Sequence, residues 1–303
     1  MERTEKNTIA VAFIGLGAIG EPMAKHLAEP PFQLAVWNRT REKADAFGKA
    51  NDARVAATPA DAARGSDFVI TCLPTSYDVE ALLEGSEGLL AGLRSGSTLV
   101  DCTSGEPGVS RAIAARLAER GIRFLDAPVS GGVSGAERGA LTVMCGGAEE
   151  VFEQALPVLR SFGEKVVRCG PVGAGHALKS VNNMLLAINL WSAGEGLAVL
   201  AKAGVDIDAA LGVINASSGR SNVTETLVPE RVVTRAFPRT FRLALLAKDA
   251  GIAAAVAREQ KVPSPLMQLA SELYRVAHTE LGDLADHAEV VKVIEKWAGV
   301  EIS

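Results

Sequence analysis

Short apolar runs recur from Thr8 to about Gly170: TIAVAFIG, QLAVWN, RVAA, DFVITCLP, TLVDCT, IRFLDAPV, LTVMCGG and EKVVRCG. Longer mixed stretches with helix-start signals lie between them. At Thr58-Pro59-Ala60-Asp61 the threonine is a cap, the proline suits the first turn and the aspartate favours the positive helix end. Strands alternating with helices predict an α/β fold with a mostly parallel sheet.

After Gly170 the pattern changes. GPVGAGHALKSVNNMLLAINLWSAGEGLAVLAKAG has no period-2 alternation and predicts one helix of about thirty residues. Asn182, Asn183, Asn189 and Glu195 interrupt its apolar face, which argues against a membrane span and for burial in a helical domain. A partner subunit is a further source of cover for so apolar a helix. Beyond it, helical segments are broken at Ser217-Ser218-Gly219, Phe237-Pro238 and Pro263-Ser264-Pro265. The expected division is a dinucleotide-type domain over 1–170, a long connecting helix over 171–203 and an all-α domain over 204–303.

Composition narrows the function classes. With 48% apolar and 22% charged residues in a chain of 303, both halves are expected to be compact. A formal charge of -5 argues against broad binding to nucleic acid or anionic lipid. Cys72, Cys102, Cys145 and Cys169 stand singly in apolar surroundings, so reduced buried thiols are expected. The histidines at 26, 176, 278 and 287 are equally dispersed, and no catalytic metal is expected. The start, MERTEKNTIAVAF, passes from a polar tail straight into a strand without the apolar core of a secretory signal, which predicts a cytoplasmic protein.

Gly15-Leu16-Gly17-Ala18-Ile19-Gly20 is a GxGxxG sequence between the first predicted strand and a helix-like segment from Glu21 to Leu27. In that setting Gly15 permits a tight turn, Gly17 lets backbone approach a pyrophosphate and Gly20 lets helix pack on strand. These residues predict a Rossmann-type domain holding a dinucleotide. About twenty residues on, where a carboxylate would hold the ribose of NAD, the chain reads Asn38-Arg39-Thr40. Asn38 removes the charge that would repel a 2′-phosphate, while Arg39 and Thr40 offer donors, so NADP is expected, with NAD the alternative. Taken alone, Arg39 also fits a solvated charge at a helix start.

Two further polar clusters are conspicuous. Asp126-Ala127-Pro128-Val129-Ser130-Gly131-Gly132 leaves a strand for a glycine turn, either an ordinary polar turn or a grip for an anionic substrate. Lys179, Asn182 and Asn183 fall at i, i+3 and i+4 on the apolar helix, either as a satisfied network or as the edge of an active site.

Four stretches combine these features: GLGAIGEPMAKHL at 15–27, DAPVSGGVSGAERGALTVMCGG at 126–147, GPVGAGHALKSVNN at 170–183 and FRLALLAKD at 241–249. Through their order and separation the chain resembles, over essentially its whole length, the β-hydroxyacid dehydrogenases. That group includes the 3-hydroxyisobutyrate dehydrogenases, tartronate semialdehyde reductases and glyoxylate/succinic semialdehyde reductases. The resemblance implies an NAD(P)-dependent enzyme that interconverts a small 3-hydroxy acid and its semialdehyde, working as a homodimer or homotetramer. It implies Lys179 as acid/base, Asn183 as substrate-orienting residue, and Ser130, Gly131 and Gly132 as the carboxylate grip. Cofactor contacts from Leu73, Pro74, Thr103 and Lys248 are implied as well, with Asp249 positioning that lysine's helix. Ile19 stands where the family usually has Met, and His26 where Asn is usual; neither touches the transfer chemistry.

Imine reductases share this architecture but usually lack the lysine, and phosphogluconate-type enzymes carry a much larger helical domain. A non-catalytic dinucleotide-binding module is the alternative from another class, and such modules characteristically lose the lysine. Substrate identity is less legible. Arg220, within Ser218-Gly219-Arg220-Ser221-Asn222, is either a partner for a distal acid group or a surface cation.

Overall fold

Val11, Ala12, Phe13 and Ile14 are fully shielded from solvent, as a strand covered on both faces requires. They belong to β1 (Ile9–Ile14), and β2 (Phe32–Trp37), β3 (Arg54–Val55), β4 (Phe68–Thr71), β5 (Thr98–Asp101) and β6 (Arg123–Asp126) follow. After them come β7 (Val129–Ser130), β8 (Leu141–Gly146) and β9 (Gly163–Gly170). The computed structural model describes residues 8–302; the polar start read from the sequence, residues 1–7, lies outside the described residues.

Among the described residues these nine strands form one sheet in the order β3-β2-β1-β4-β5-β6-β8-β7, with β9 paired to β8. Pairing is parallel from β3 through β6. At β8 the direction reverses, and β8 runs antiparallel to β6 and β7 but parallel to β9. Each apolar run predicted as a strand is one, and Val129–Ser130 adds a two-residue pairing inside what the sequence marks as a turn.

Alternation along each strand sends side chains to two separate cores. Val11, Phe13, Val36, Ile70, Val100 and Leu125 pack with Met23, Leu27, Phe47 and Leu159 on one side. Ala12, Ile14, Val69, Leu99 and Phe124 pack with Val79, Leu83, Leu89 and Ile113 on the other. The helices bringing that cover begin as the sequence suggests: Thr58 Oγ1 accepts the Asp61 N–H at 3.0 Å and caps helix Pro59–Ala63.

The chain divides into two compact units, one ending at Lys179 and one beginning at Ser180, and the helix Ala174–Lys202 runs through the division. The second unit is helical, with helices Ile207–Asn215, Leu243–Glu259, Pro265–Leu281 and Val290–Ala298. Between them Val223–Val233 is wound more widely than an α-helix and contains Pro229, which has no N–H to give to a helical ladder. Leu190, Trp191, Leu227, Leu246, Tyr274 and Ile294 share the core of this unit. By length and composition the helix Ala174–Lys202 would suffice to cross a bilayer, with a mean hydropathy of 1.5 in its most apolar window. One face of it, with Ala187, Leu190, Trp191 and Leu197, lies in the helical core, while Leu178, Leu185 and Val199 are exposed.

Candidate active site

The ends of five parallel strands stand in one row. Trp37 pairs with Ile14, Ile14 with Thr71, Thr71 with Asp101 and Asp101 with Asp126. The residues that follow β1, β4, β5 and β6 continue the ladder: Gly15, Cys72, Cys102 and Ala127 each donate their N–H to the neighbouring strand's end. Every loop that leaves this row therefore starts at the same edge, where open α/β sheets bind their ligands.

Gly15 takes a φ of 104°, and a Cβ there would lie 2.4 Å from the Cys72 carbonyl oxygen. A Cβ on Gly20 would approach the Gly15 carbonyl oxygen to 2.1 Å, while one on Gly17 would meet nothing within 4 Å. The loop is thus closed beneath and open above Gly17, a cradle that fits a pyrophosphate. Ala18 is exposed and Ile19 half-buried on its rim.

Asn38 is engaged at both ends of its amide. Its Oδ1 accepts the Leu16 N–H at 2.9 Å and its Nδ2 donates to the Thr40 carbonyl at 2.9 Å. The residue read as a cofactor contact also ties the glycine loop to the end of β2. Arg39 and Thr40, beside it, are exposed.

Beyond β4, the Leu73 N–H is donated to Thr103 Oγ1 at 3.1 Å, and Pro74 is exposed. Thr103 is buried, and its N–H is donated to Asp101 Oδ1 at 3.0 Å, an atom that also accepts from Thr71 Oγ1 at 2.9 Å. The β4 and β5 loops, which hold three of the predicted cofactor contacts, are thereby bonded to one another.

Asp126, at the end of β6, holds the start of the lysine-bearing helix. Its carboxylate accepts the Gly173 N–H at 2.7 Å and the His176 N–H at 2.9 Å, two of the groups a helix start leaves without intrahelical acceptors. Burial pushes the Asp126 carboxyl up from its ordinary range, against the opposing pull of His176 and of these two N–H groups. Lys179 lies one turn further and is buried, with 9% of its surface exposed. Ser130 is half-buried on β7, opposite Thr142, and is followed by Gly131 and Gly132 at φ values of 137° and 65°.

In the second unit Asn183 donates through Nδ2 to Asp249 Oδ2 at 2.6 Å, and Lys248 Nζ lies 3.1 Å from Asp249 Oδ1. One buried carboxylate thus joins two residues that the sequence assigns to substrate and cofactor. Asn182 differs from its expected face. It is exposed and donates to Asn183 Oδ1 at 3.2 Å, because adjacent residues are turned about 100° apart around a helix. Arg220 is exposed and lies 3.6 Å from Glu225.

Sequence reasoning passed over Asp101, Asp126 and His176 as site components, and it placed Asp249 only as support for a helix. A charged residue directly after two apolar ones at the end of a predicted strand, as in TLVD and RFLD, was the available signal. Burial pushes the Cys72 and Cys145 thiols each up to about 12. No group of three or more His, Cys, Asp or Glu is placed to hold a metal among the described residues.

Residues 10–170 match the family described as the NAD binding domain of 6-phosphogluconate dehydrogenase. Residues 173–294 match the NAD-binding family of NADP-dependent 3-hydroxyisobutyrate dehydrogenase. The chain is 35% identical over 305 residues to 2-(hydroxymethyl)glutarate dehydrogenase of Eubacterium barkeri, covering 98% of this chain and 99% of that one. It is 36% identical over 295 residues to an NAD-dependent L-serine dehydrogenase of Pseudomonas aeruginosa, covering 95% and 99%. Among solved structures, 3-hydroxyisobutyrate dehydrogenase of Mycobacterium tuberculosis with L-serine superposes with a TM-score of 0.87 at 29% identity, covering 95% and 99%.

Proposed function

The chain belongs to the β-hydroxyacid dehydrogenase family, and from that premise we propose that it interconverts a small 3-hydroxy acid and its semialdehyde or 3-oxo acid, with Lys179 as acid/base and NADP as preferred cofactor. The observation that carries this is the buried Lys179 on a helix whose start is bonded to Asp126 in the strand-end row.

The bound nicotinamide supplies or accepts the hydride. Lys179 Nζ gives a proton to the carbonyl oxygen in reduction and takes it from the hydroxyl in oxidation. The Ser130 hydroxyl and the backbone of Gly131 and Gly132 hold the carboxylate, and the absence of side chains on the two glycines leaves their N–H groups accessible to it. Asn183 orients the substrate. The glycine loop, Leu73, Pro74, Thr103 and Lys248 contact the cofactor, and Arg39 and Thr40 favour its 2′-phosphate. The exposed Leu185 and Val199 on the long helix, with Leu266 and Leu269 on Pro265–Leu281, favour a homodimer or homotetramer. A monomeric mass by light scattering at micromolar concentration would refute that assembly.

The deciding experiment follows absorbance at 340 nm with NADPH and NADH in parallel against succinic, tartronate, methylmalonate and sulfolactate semialdehydes and glyoxylate, with Lys179→Ala alongside. Turnover of a semialdehyde, lowered about 100- to 10,000-fold by Lys179→Ala, is expected. Unchanged turnover in that variant refutes the assignment of the lysine. Reduction of cyclic imines but of no semialdehyde moves the enzyme to imine reduction.

A further inference from the structure

His176 lies in the first turn of the helix Ala174–Lys202, three residues before Lys179, and its side chain is wholly buried. Nothing in the transfer chemistry uses it. Its Nδ1 is 2.6 Å from Ser110 Oγ, in helix Pro107–Ala118. That hydroxyl also donates to the Glu106 carbonyl at 3.1 Å. The tautomer of the ring decides which atom of that pair donates, and in either case Nε2 is turned towards β5. There Nε2 stands 3.9 Å from Asp101 Oδ2, and neither atom has a hydrogen-bond partner among the described residues.

The other oxygen of Asp101 holds Thr71 and the backbone of Thr103. The loop after β5 also presses on the ring, since a Cβ at Gly105 would come within 2.8 Å of His176 Cε1. One imidazole therefore joins the start of the lysine helix to the strand end beside Thr103 and to the helix that follows it. Burying an imidazole, a hydroxyl and a carboxylate together stabilises less than an apolar filling of the same volume would, but it admits fewer arrangements. Orientation matters at this position. A rotation of the first helical turn by about 10° moves a lysine Nζ by about 1 Å.

We propose that His176 is a positioning residue for proton transfer: held by Ser110 and facing Asp101, it sets the rotation of the first helical turn and so the place of Lys179 relative to the row of strand ends. This rests on the assignment of Lys179 as acid/base. His176→Leu keeps the volume and removes the polar links, whereas His176→Asn retains a hydrogen-bonding group at the position of Nδ1. In His176→Leu, kcat is expected to fall about 10- to 100-fold, as for displacement of a reacting group by about 1 Å. NADPH affinity, read by fluorescence titration without turnover, stays within about twofold. Hydrogen exchange of the amides at 174–180 should quicken in His176→Leu, and both exchange and kcat should recover substantially in His176→Asn.

A lowered melting temperature with kcat and exchange at 174–180 unchanged would reduce His176 to a structural residue and overturn the proposal. Lys179→Ala separates the two failures: if it retains turnover, the assignment of the lysine is wrong; if it abolishes turnover while His176→Leu does not lower kcat, only the positioning role is wrong. Should His176→Leu not fold, Ser110→Ala removes a single oxygen. A several-fold loss of kcat with NADPH affinity retained supports the proposal, and no loss overturns it.

Discussion

Asn38 separates two effects that the sequence combined. Its Oδ1 accepts the Leu16 N–H and its Nδ2 donates to the Thr40 carbonyl, each at 2.9 Å, and Leu16 is 1% exposed. Asn38→Ala leaves that buried N–H without its acceptor, at a cost of about 1–3 kcal/mol. At about 3 °C per kcal/mol for a unit of this size, the melting temperature should fall by about 3–9 °C. Asn38→Asp keeps the acceptor for Leu16 but turns a carboxylate towards the Thr40 carbonyl and adds a charge where the ribose 2′-position is expected. The ratio of kcat/KM for NADPH to that for NADH should then move towards NADH by about tenfold, or ~1.4 kcal/mol. Scanning calorimetry gives the first quantity and initial rates at 340 nm the second. A melting temperature unchanged in Asn38→Ala would refute the loop tie. An unchanged cofactor ratio in Asn38→Asp would refute the placement of the ribose.

Arg39→Ala should raise KM for NADPH much more than for NADH; equal effects in parallel titrations would make it a structural cation. Asp249→Ala removes the acceptor shared by Asn183 and Lys248, so kcat/KM should fall about 10- to 100-fold, with Asp249→Asn intermediate because it keeps one acceptor oxygen. Burial alone would raise the Asp286 carboxyl, but the hydrogen bond and charge of His287 and the N–H groups of Phe241 and Ala288 hold it well below the usual range. A lowered folded value means that its stabilisation is present above the unfolded value near 4 and is lost as pH falls below it. Asp286→Asn should therefore be destabilised at pH 7, with a flatter loss of stability between about pH 4 and 2 in urea unfolding.

The sequence by itself determined the strand-helix alternation, the glycine loop and the long helix. Each of these is a local property: periodicity along the chain, or absent side chains where backbone must turn. Its short apolar runs are strands whose alternate residues feed two separate cores, so both sets are apolar and the unbroken run, rather than an alternation, is what the sequence displays. Tertiary structure decided what joins those elements. Asp126 reaches Gly173 and His176 across 47 and 50 residues, and Ser110 reaches His176 across 66. Asn183 reaches Asp249 across 66 as well. No periodicity encodes such pairs, because their spacing is set by how many residues the intervening strands and helices need to return to the same edge. For the same reason His176 read as one dispersed histidine among four, and only its burial among three chain segments distinguished it.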